Sequence, residues 1–334
     1  MTSRHIEAAQ PGPVTVDARL LQQAGKVSVV VDPNCKRATL RISTPDTRGP
    51  SADLVDRATL QQSTDGVMSA KVEGTGAGNG GITIQSGSGN ISIGRVNGAV
   101  FSTGNRGISI SGVSGPIMVN GVRIDPSNGG VDASEPASDI EVTAVLPPGS
   151  ALTAQTTSAG IEATGLSTVE ARTQSGDVDV KSAWSVNAST QSGSVAVGWV
   201  QDLDVRTQSG SVHVDWAQGQ VQAKAQSGSV NVRQFAGATA TVGAMSGNAS
   251  IHVVAAHQPM DGQRIVRASA MSGNATVTAA SPDVEQTLNA QATSMSGRAS
   301  APQPAATRPM HQGGARAYQQ MPGHQSARGS NLGY

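Results

Sequence analysis

Apolar and polar residues alternate with a period of two through the second half of the chain. Before Gly210, Leu203 and Val205 would point to one side of a strand. Asp204 and Arg206 would point to the other side. This alternation is typical of a half-buried β-strand, and the stretch lacks the 3.6-residue period of a helix. The pattern therefore predicts an all-β protein.

A short phrase, Gln-Ser-Gly-x-Val-x-Val, recurs along this part of the chain and drifts to Met-Ser-Gly-Asn-Ala near its end. Successive copies of its glycine are separated by 16, 17, 17, 18, 19, 26 and 24 residues. A period of this size is typical of a solenoid built from stacked repeats. The repeated glycines are Gly160, Gly176, Gly193, Gly210, Gly228, Gly247, Gly273 and Gly297.

One repeat cannot fold alone. It buries about four small apolar side chains, each worth roughly 1.5–3 kcal/mol, whereas ordering each backbone residue costs roughly 1–2 kcal/mol. Stacking the repeats in parallel gives the backbone groups partners and joins the valines into one core. We therefore predict a parallel β-solenoid, similar to a β-helix, with rungs of about 17 residues. In it, Val195, Val212 and Val230 would lie directly over one another. The corner glycines would supply a backbone angle closed to other residues and would leave no Cβ to obstruct the turn.

The repeat divides the chain into three predicted regions. Residues 1–75 lack it and are expected to form a small β-rich N-terminal cap, in which Ser51 would cap a short helix over Ala52–Ala58. Residues 76–301 are the expected solenoid domain, with an irregular linker at about 124–139. Residues 302–334 are rich in Pro, Gln and Gly without periodic apolar positions, which predicts a disordered tail.

Three phrases carry a resemblance to a known family. They are an extended strand ending in Pro-Pro-Gly at 140–149, Thr-Thr-Ser-Ala-Gly at 156–160, and Ala-Arg-Thr-Gln-Ser-Gly-Asp-Val-Asp-Val at 171–180. Together they resemble the bacterial "putative adhesin" family of β-strand-repeat proteins, a domain of unknown function. The resemblance covers most of residues 140–280. It implies a parallel β-solenoid without established catalytic residues.

Composition excludes several kinds of site. The 23 basic and 23 acidic residues balance, so bulk charge does not favour a nucleic-acid partner. Cys35 is the one cysteine, and the six histidines are scattered, so no metal site is expected. Gly76–Gly81 has the spacing of a dinucleotide-binding loop, but the strand pattern after it cannot supply the required helix. No cofactor is therefore expected. The many serines are interpreted as a ladder of corner hydroxyls rather than as nucleophiles.

The candidate interaction face is a column of glutamines two residues before the repeated glycines, which becomes Met245, Met271 and Met295 towards the C-terminus. Basic residues precede three of the glutamines by two positions and would lie on the same face. Stacked in register, the glutamines are expected to face outward and could form an amide ladder. The predicted face comprises Gln174, Gln191, Gln208, Gln226, Arg172, Arg206 and Lys224.

These features favour a non-enzymatic solenoid that serves as an adhesin-like or scaffolding surface, with a protein or glycan partner or with self-association. Two alternatives stay open: a polysaccharide-modifying enzyme of the parallel β-helix type, and a self-polymerising cytoskeletal solenoid. No apolar run is long enough to span a membrane. The sequence start lacks a basic-then-apolar signal, which favours the cytoplasm, although surface export by another route stays open.

Overall fold

The structure is a computed structural model. It describes residues 1–21, 24–73, 138–256 and 262–302, together with the backbone of six short strands between residues 82 and 124. Over these residues the protein is all-β, as the alternation predicts. The predicted linker at about 124–139, the tail at 302–334 and the Gly76–Gly81 phrase lie almost wholly outside the described residues.

Two short helices accompany the strands in this part of the chain: α1 (Pro50–Arg57) and α2 (Pro282–Gln286). The strands that precede residue 138 are β1 (Thr2–Glu7), β2 (Thr15–Leu21), β3 (Gly25–Val31), β4 (Thr39–Thr44), β5 (Thr59–Gln62), β6 (Val67–Glu73), β7 (Ile82–Ile84), β8 (Ile91–Ile93), β9 (Val100–Gly104), β10 (Gly107–Ser111), β11 (Ile117–Val119) and β12 (Val122–Ile124). The strands that follow are β13 (Ile140–Leu146), β14 (Ala151–Thr156), β15 (Gly160–Thr173), β16 (Val178–Thr190), β17 (Val195–Thr207), β18 (Val212–Ala217), β19 (Gln220–Ser227), β20 (Val230–Phe235), β21 (Thr239–Ser246), β22 (Ala249–Val253), β23 (Arg264–Ser272), β24 (Ala275–Ala279), β25 (Leu288–Ser294) and β26 (Ala299–Ser300).

Twenty of the described strands belong to one hydrogen-bonded sheet. From β14 to β26, the described pairings between successive repeats are parallel. Two smaller sheets lie outside it. One contains β9 and β10, and the other contains β7, β8, β11 and β12.

The repeated valines lie in register inside this sheet. Val195 pairs with Val212, and Val212 pairs with Val230. Their side chains are no more than 1% exposed. The predicted alignment of these three residues is therefore confirmed. Small residues such as Ala188 and Ala223 occupy other buried positions, which explains how a narrow core forms with so few aromatic residues.

The N-terminal segment joins the same sheet. Strand β2 pairs in parallel with β6 and β14, and β3 lies between β13 and β15. Antiparallel pairs add β1, β4 and β5. Helix α1 forms as expected, but the expected cap is wrong. The hydroxyl of Ser51 donates to the carbonyl of Ser138 at 2.7 Å, and no side chain caps the helix.

Helix α2 was not predicted. It begins after Ser281, whose side chain accepts a hydrogen bond from the backbone N–H of Val284 at 3.4 Å. Pro282 fills the first turn, where its missing N–H carries no cost. Among the described residues, neither helix has the length and apolar character needed to cross a membrane.

The two longest intervals between repeats leave the strand pairing intact. Ala249 still pairs with Ala275, 26 positions later, and Ala275 pairs with Ala299. The extra residues of the first interval lie between Val253 and Arg264. The longer connection therefore leaves the register of the flanking strands unchanged.

A buried arginine anchors the end of this connection. Arg264 is 4% exposed and donates to the carbonyls of Gly237 at 2.9 Å, Val254 at 2.6 Å and Phe235 at 2.8 Å. Its guanidinium also lies 5.6 Å from the centre of the Phe235 ring. Burial lowers the pKa of Arg264 from its ordinary value. The side chain thus satisfies three backbone carbonyls from neighbouring segments at once.

Candidate functional site

Strand register brings the predicted basic residues into one outward column. Arg172 pairs with Ser189, Ser189 with Arg206, and Arg206 with Lys224. The glutamines follow two residues later, and all seven predicted residues are exposed. Backbone hydrogen bonds between repeats continue past the strand ends to the glutamines, because the N–H of Ser209 donates to the carbonyl of Gln191 at 2.8 Å. The basic residues and the glutamines therefore form two neighbouring columns that both face outward.

Buried threonines lie between the basic and the glutamine columns. Thr173, Thr190 and Thr207 occupy equivalent positions, and each accepts a hydrogen bond at Oγ1 from the N–H of the glycine three residues later, at 2.9 Å. At the next equivalent position Ala225 replaces threonine, and the N–H of Gly228 donates instead to the carbonyl of Ser246. The replacement of threonine by alanine is visible in the sequence, but the sequence analysis did not assign these threonines a role as hydrogen-bond acceptors.

Of the two expected reasons for the corner glycines, the absence of a Cβ applies at most corners, and the special backbone angle applies at only two of them. Among the repeated glycines, Gly247 and Gly273 have positive φ, whereas Gly193 and Gly210 do not. A Cβ on Gly193 would lie 1.9 Å from the carbonyl oxygen of Gly176. Close approach of one corner backbone to the next, rather than a special backbone angle, therefore excludes other residues at most of these corners.

The residue after each glycine forms a second ladder at this corner. The N–H of Ser211 donates to Oγ of Ser194 at 3.4 Å, and the N–H of Ser229 donates to Oγ of Ser211 at 3.3 Å. Asn248 continues the series by accepting from the N–H of Asn274 at 2.8 Å. The interpretation of the corner serines as a hydroxyl ladder is confirmed. The glutamine amides differ, because no hydrogen bond joins their side chains in the described residues.

The outward columns line a groove of about 800 Å³. Five of the seven predicted residues border it, whereas Gln174 and Arg172 lie outside its lining. The sequence reasoning missed the small polar residues Thr241, Ser269 and Thr293, which also line the groove. The predicted residues in the lining are Gln191, Gln208, Gln226, Arg206 and Lys224, and the three methionines continue it.

The groove changes from polar to apolar along its length. Met245 is 50% exposed, Met271 47% and Met295 79%. A row of exposed thioethers is a soft, adaptable apolar surface. The glutamine end carries amide donors and acceptors instead. The groove can therefore contact a partner through both hydrogen bonds and apolar packing.

Charge is distributed unevenly beside the groove. Arg172 pairs with Glu170 at 2.6 Å, and Arg206 pairs with Asp204 at 3.2 Å. Each acid precedes its base by two residues on the same outer face. At the equivalent position before Lys224, the chain has Gln222. Among the described residues, Lys224 forms no ion pair, so its ammonium group adds a positive charge to the groove.

Acidic and histidine side chains are dispersed over other parts of the surface. Asp179 pairs with Lys181 at 2.6 Å, and Asp215 with His213 at 3.0 Å. Asp177 accepts a hydrogen bond from the N–H of Ser194 at 2.7 Å. In the part of the chain that the structure describes, no group of three His, Cys, Asp or Glu could hold a metal ion. His257, His311 and His324 lie outside the described residues.

Comparison with known proteins gives a family match but no curated relative. A crystal structure of a putative cell adhesion protein from Clostridium sporogenes is similar to 90% of this chain over 98% of its own length, at 7% identity and a TM-score of 0.28. A crystal structure of a putative adhesin from Parabacteroides merdae is similar to 87% of this chain over 95% of its own, at 8% identity and a TM-score of 0.30. No curated protein matches the chain. Residues 161–320 match the family model described as Toastrack DUF4097. This part of the chain is therefore similar to the Toastrack DUF4097 family, a domain of unknown function.

Proposed function

We propose that the protein is a non-enzymatic β-solenoid that serves as an interaction surface, and that the groove binds an extended segment of a protein partner. The solenoid is supported by parallel partners that recur at nearly constant intervals. Val178, Val195 and Val212 pair in succession, 17 residues apart. Two strands per repeat, such as β18 and β19, would form each rung of about 17 residues.

The groove itself carries the proposal. Its floor and walls are the columns that stacking produces, so its shape is fixed by the sheet rather than by a loop. From Gln191 to Met295 it crosses six repeats, or about 24 Å at ~4.8 Å per strand. An extended peptide of about seven residues has the same length. This match favours a linear segment over a compact ligand.

The chemistry of the groove defines the partner segment. The methionine end suits apolar side chains, and methionine-rich surfaces adapt to many of them. The glutamine amides can donate to and accept from a peptide backbone. The uncompensated ammonium of Lys224 favours an acidic residue in the segment. The expected partner segment therefore combines apolar residues with an Asp or Glu.

The positions of the acidic residues support a non-enzymatic role. A polysaccharide-cleaving site needs several carboxylates that converge on one place. Asp179, Asp204 and Asp215 are each paired with a basic side chain. They also occupy different outward columns. Release of sugar from a polyuronate panel by the wild-type chain, lost in Asp179→Asn, would overturn this part of the proposal.

Selection from random peptides displayed on phage tests the groove directly. We expect peptides enriched on the full chain to combine apolar residues with at least one acid. Lys224→Glu and Met271→Asp should each weaken their binding about tenfold or more, measured by fluorescence anisotropy. Gln174→Ala lies outside the groove and is the matched control, so it should bind as the wild type does.

Two outcomes would contradict the proposed partner. Peptides that bind Lys224→Glu and Met271→Asp as well as the wild type would show that the groove is not their site. If sedimentation shows an oligomer of the wild-type chain that Met271→Asp dissociates, the occupant is a second copy of the chain instead.

A further inference from the structure

All three tryptophans of the chain lie in one surface patch, defined by Trp184, Trp199 and Trp216. Trp199 and Trp216 pair in register on adjacent strands. The rings of Trp184 and Trp199 meet edge to face, with centroids 5.7 Å apart and an interplanar angle of 89°. Aromatic residues form only 2% of the chain, so this concentration at the surface needs a physical explanation.

The patch is exposed rather than part of the core. Trp184 is 62% exposed, and Trp199 and Trp216 are partly exposed. Its edge-to-face contact with Trp199 is a favoured aromatic geometry, which holds the exposed indole in a defined orientation. The indole of Trp184 therefore presents aromatic surface to solvent beside the ring of Trp199.

Small residues and polar side chains surround the tryptophans. Ala196 pairs with Asp179 on the strand to one side and with His213 on the strand to the other side. Gly198, beside Trp199, lies next to Lys181, since a Cβ on Gly198 would be 2.4 Å from the carbonyl oxygen of Lys181. On the other side, its neighbours Val197 and Trp199 pair with the residues that flank Asp215. The central strand therefore forms the floor of a shallow trough, with longer polar side chains on either side and Trp199 at its end.

The polar side chains around this trough are balanced in charge. Lys181 pairs with Asp179 at 2.6 Å, and Asp215 pairs with Arg233 at 3.2 Å. The hydrogen bond to Asp179 raises the pKa of Lys181, which keeps its ammonium charged. The patch thus combines aromatic surface with hydrogen-bonding groups and has no excess of either charge.

We infer that the tryptophan patch is a binding site for a neutral oligosaccharide. The C–H groups on one face of a pyranose ring carry partial positive charge and stack on the negative face of an indole. The surrounding carboxylates and ammonium group can bind the sugar hydroxyls. Adjacent strands are ~4.8 Å apart, which is close to the length of one pyranose unit. A sugar chain can therefore place successive rings against successive strands.

The same observations disfavour other ligands. Protein-binding hot spots lie in apolar surroundings. Polar residues separate Trp199 from the exposed Val30 along the same column, because Ser182 pairs with Trp199 and Thr164 pairs with both Ser182 and Val30. Single-stranded nucleic acid needs positive charge to neutralise its phosphates, which the balanced ion pairs do not supply. An acidic polysaccharide needs the same excess of positive charge. The site is also separate from the groove, because no groove-lining residue belongs to the patch.

Titration of the full chain with cello-, chito-, malto- and xylo-oligosaccharides, and with oligogalacturonate as the acidic comparison, tests this assignment. All the tryptophans lie in the patch, so indole emission reports binding directly, and calorimetry measures the affinity. We expect at least one neutral oligosaccharide to bind in the micromolar to millimolar range. Trp184→Ala should weaken that binding about tenfold or more, whereas Trp184→Phe should keep part of it.

Ile265→Ala is the matched control, because it removes an exposed apolar side chain outside both the groove and the patch and should bind the sugar as the wild type does. Circular dichroism of each variant checks that the fold is retained. The assignment is wrong if no neutral oligosaccharide binds at millimolar concentration, or if only oligogalacturonate binds. Equal affinity of wild type and Trp184→Ala would also overturn it. None of these outcomes bears on the peptide groove, so the two proposals fail separately.

Discussion

A Cβ atom on Gly210 would lie 1.9 Å from the carbonyl oxygen of Gly193. We expect Gly210→Ala to lower the free energy of unfolding by about 3 kcal/mol, because both backbones are held by neighbouring strands and cannot separate freely. Urea denaturation followed by circular dichroism measures the change.

Gly243→Ala is the control for this substitution. Its Cβ would lie 3.2 Å from Oγ of Ser269, a side-chain atom that can rotate away. We expect its stability to change by less than about 1 kcal/mol. Equal stability of the two alanine variants would contradict the close-approach explanation.

Val212 lies in the middle of the stacked valines and is 1% exposed. We expect Val212→Asp to prevent folding of the repeat region, because it buries a charge without a partner. Far-UV circular dichroism and proteolysis measure the loss. Gln208→Ala, on the adjacent outward column, should change stability by less than about 0.5 kcal/mol. A folded Val212→Asp variant would show that this position is accessible to water.

The buried hydroxyl of Thr190 tests the corner hydrogen bonds. Thr190→Val keeps the shape of the side chain but leaves the N–H of Gly193 without its acceptor. We expect a loss of about 1–3 kcal/mol in the free energy of unfolding. Thr190→Ser keeps the acceptor and should retain most of the stability. If Thr190→Val is as stable as the wild type, the corner has another way to satisfy that N–H.

Arg264 provides a test of a buried cation. Arg264→Met fills a similar volume but removes the donors for the carbonyls of Gly237, Val254 and Phe235. We expect a loss of about 2 kcal/mol, measured by thermal and urea denaturation. Arg267→Met, at an exposed position three residues later, should have little effect. A stabilised Arg264→Met variant would show that desolvation of the guanidinium outweighs its hydrogen bonds.

The period-two pattern and the repeated glycine together predict the register of the later strands. Parallel stacking places equivalent positions of successive repeats next to each other. An alignment of the repeats therefore places Val195 beside Val212 and Arg206 beside Lys224. The same alignment locates most of the groove. Ser269 and Thr293 also line the groove, and the same register would place them there, but the sequence analysis did not include them.

Other features escape a search for repeats. Strand β3 lies between β13 and β15 through pairings more than a hundred residues apart, and no shared phrase marks them. Helix α2 is different, because Ser281 and Pro282 are ordinary helix-start signals that the strand pattern around them obscured. The tryptophan patch depends on a corner in the sheet that shifts the alternation by one position, as the consecutive non-buried residues Gly198 and Trp199 show.

The connection between Val253 and Arg264 suggests a practical use for the molecule. Strands on both sides of it keep their partners although the interval there reaches 26 residues. Foreign sequence inserted at this point would be displayed from a rigid support whose own assembly does not depend on the length of the insert. An epitope or an enzyme recognition tag placed there should be accessible while the surrounding scaffold retains its melting temperature.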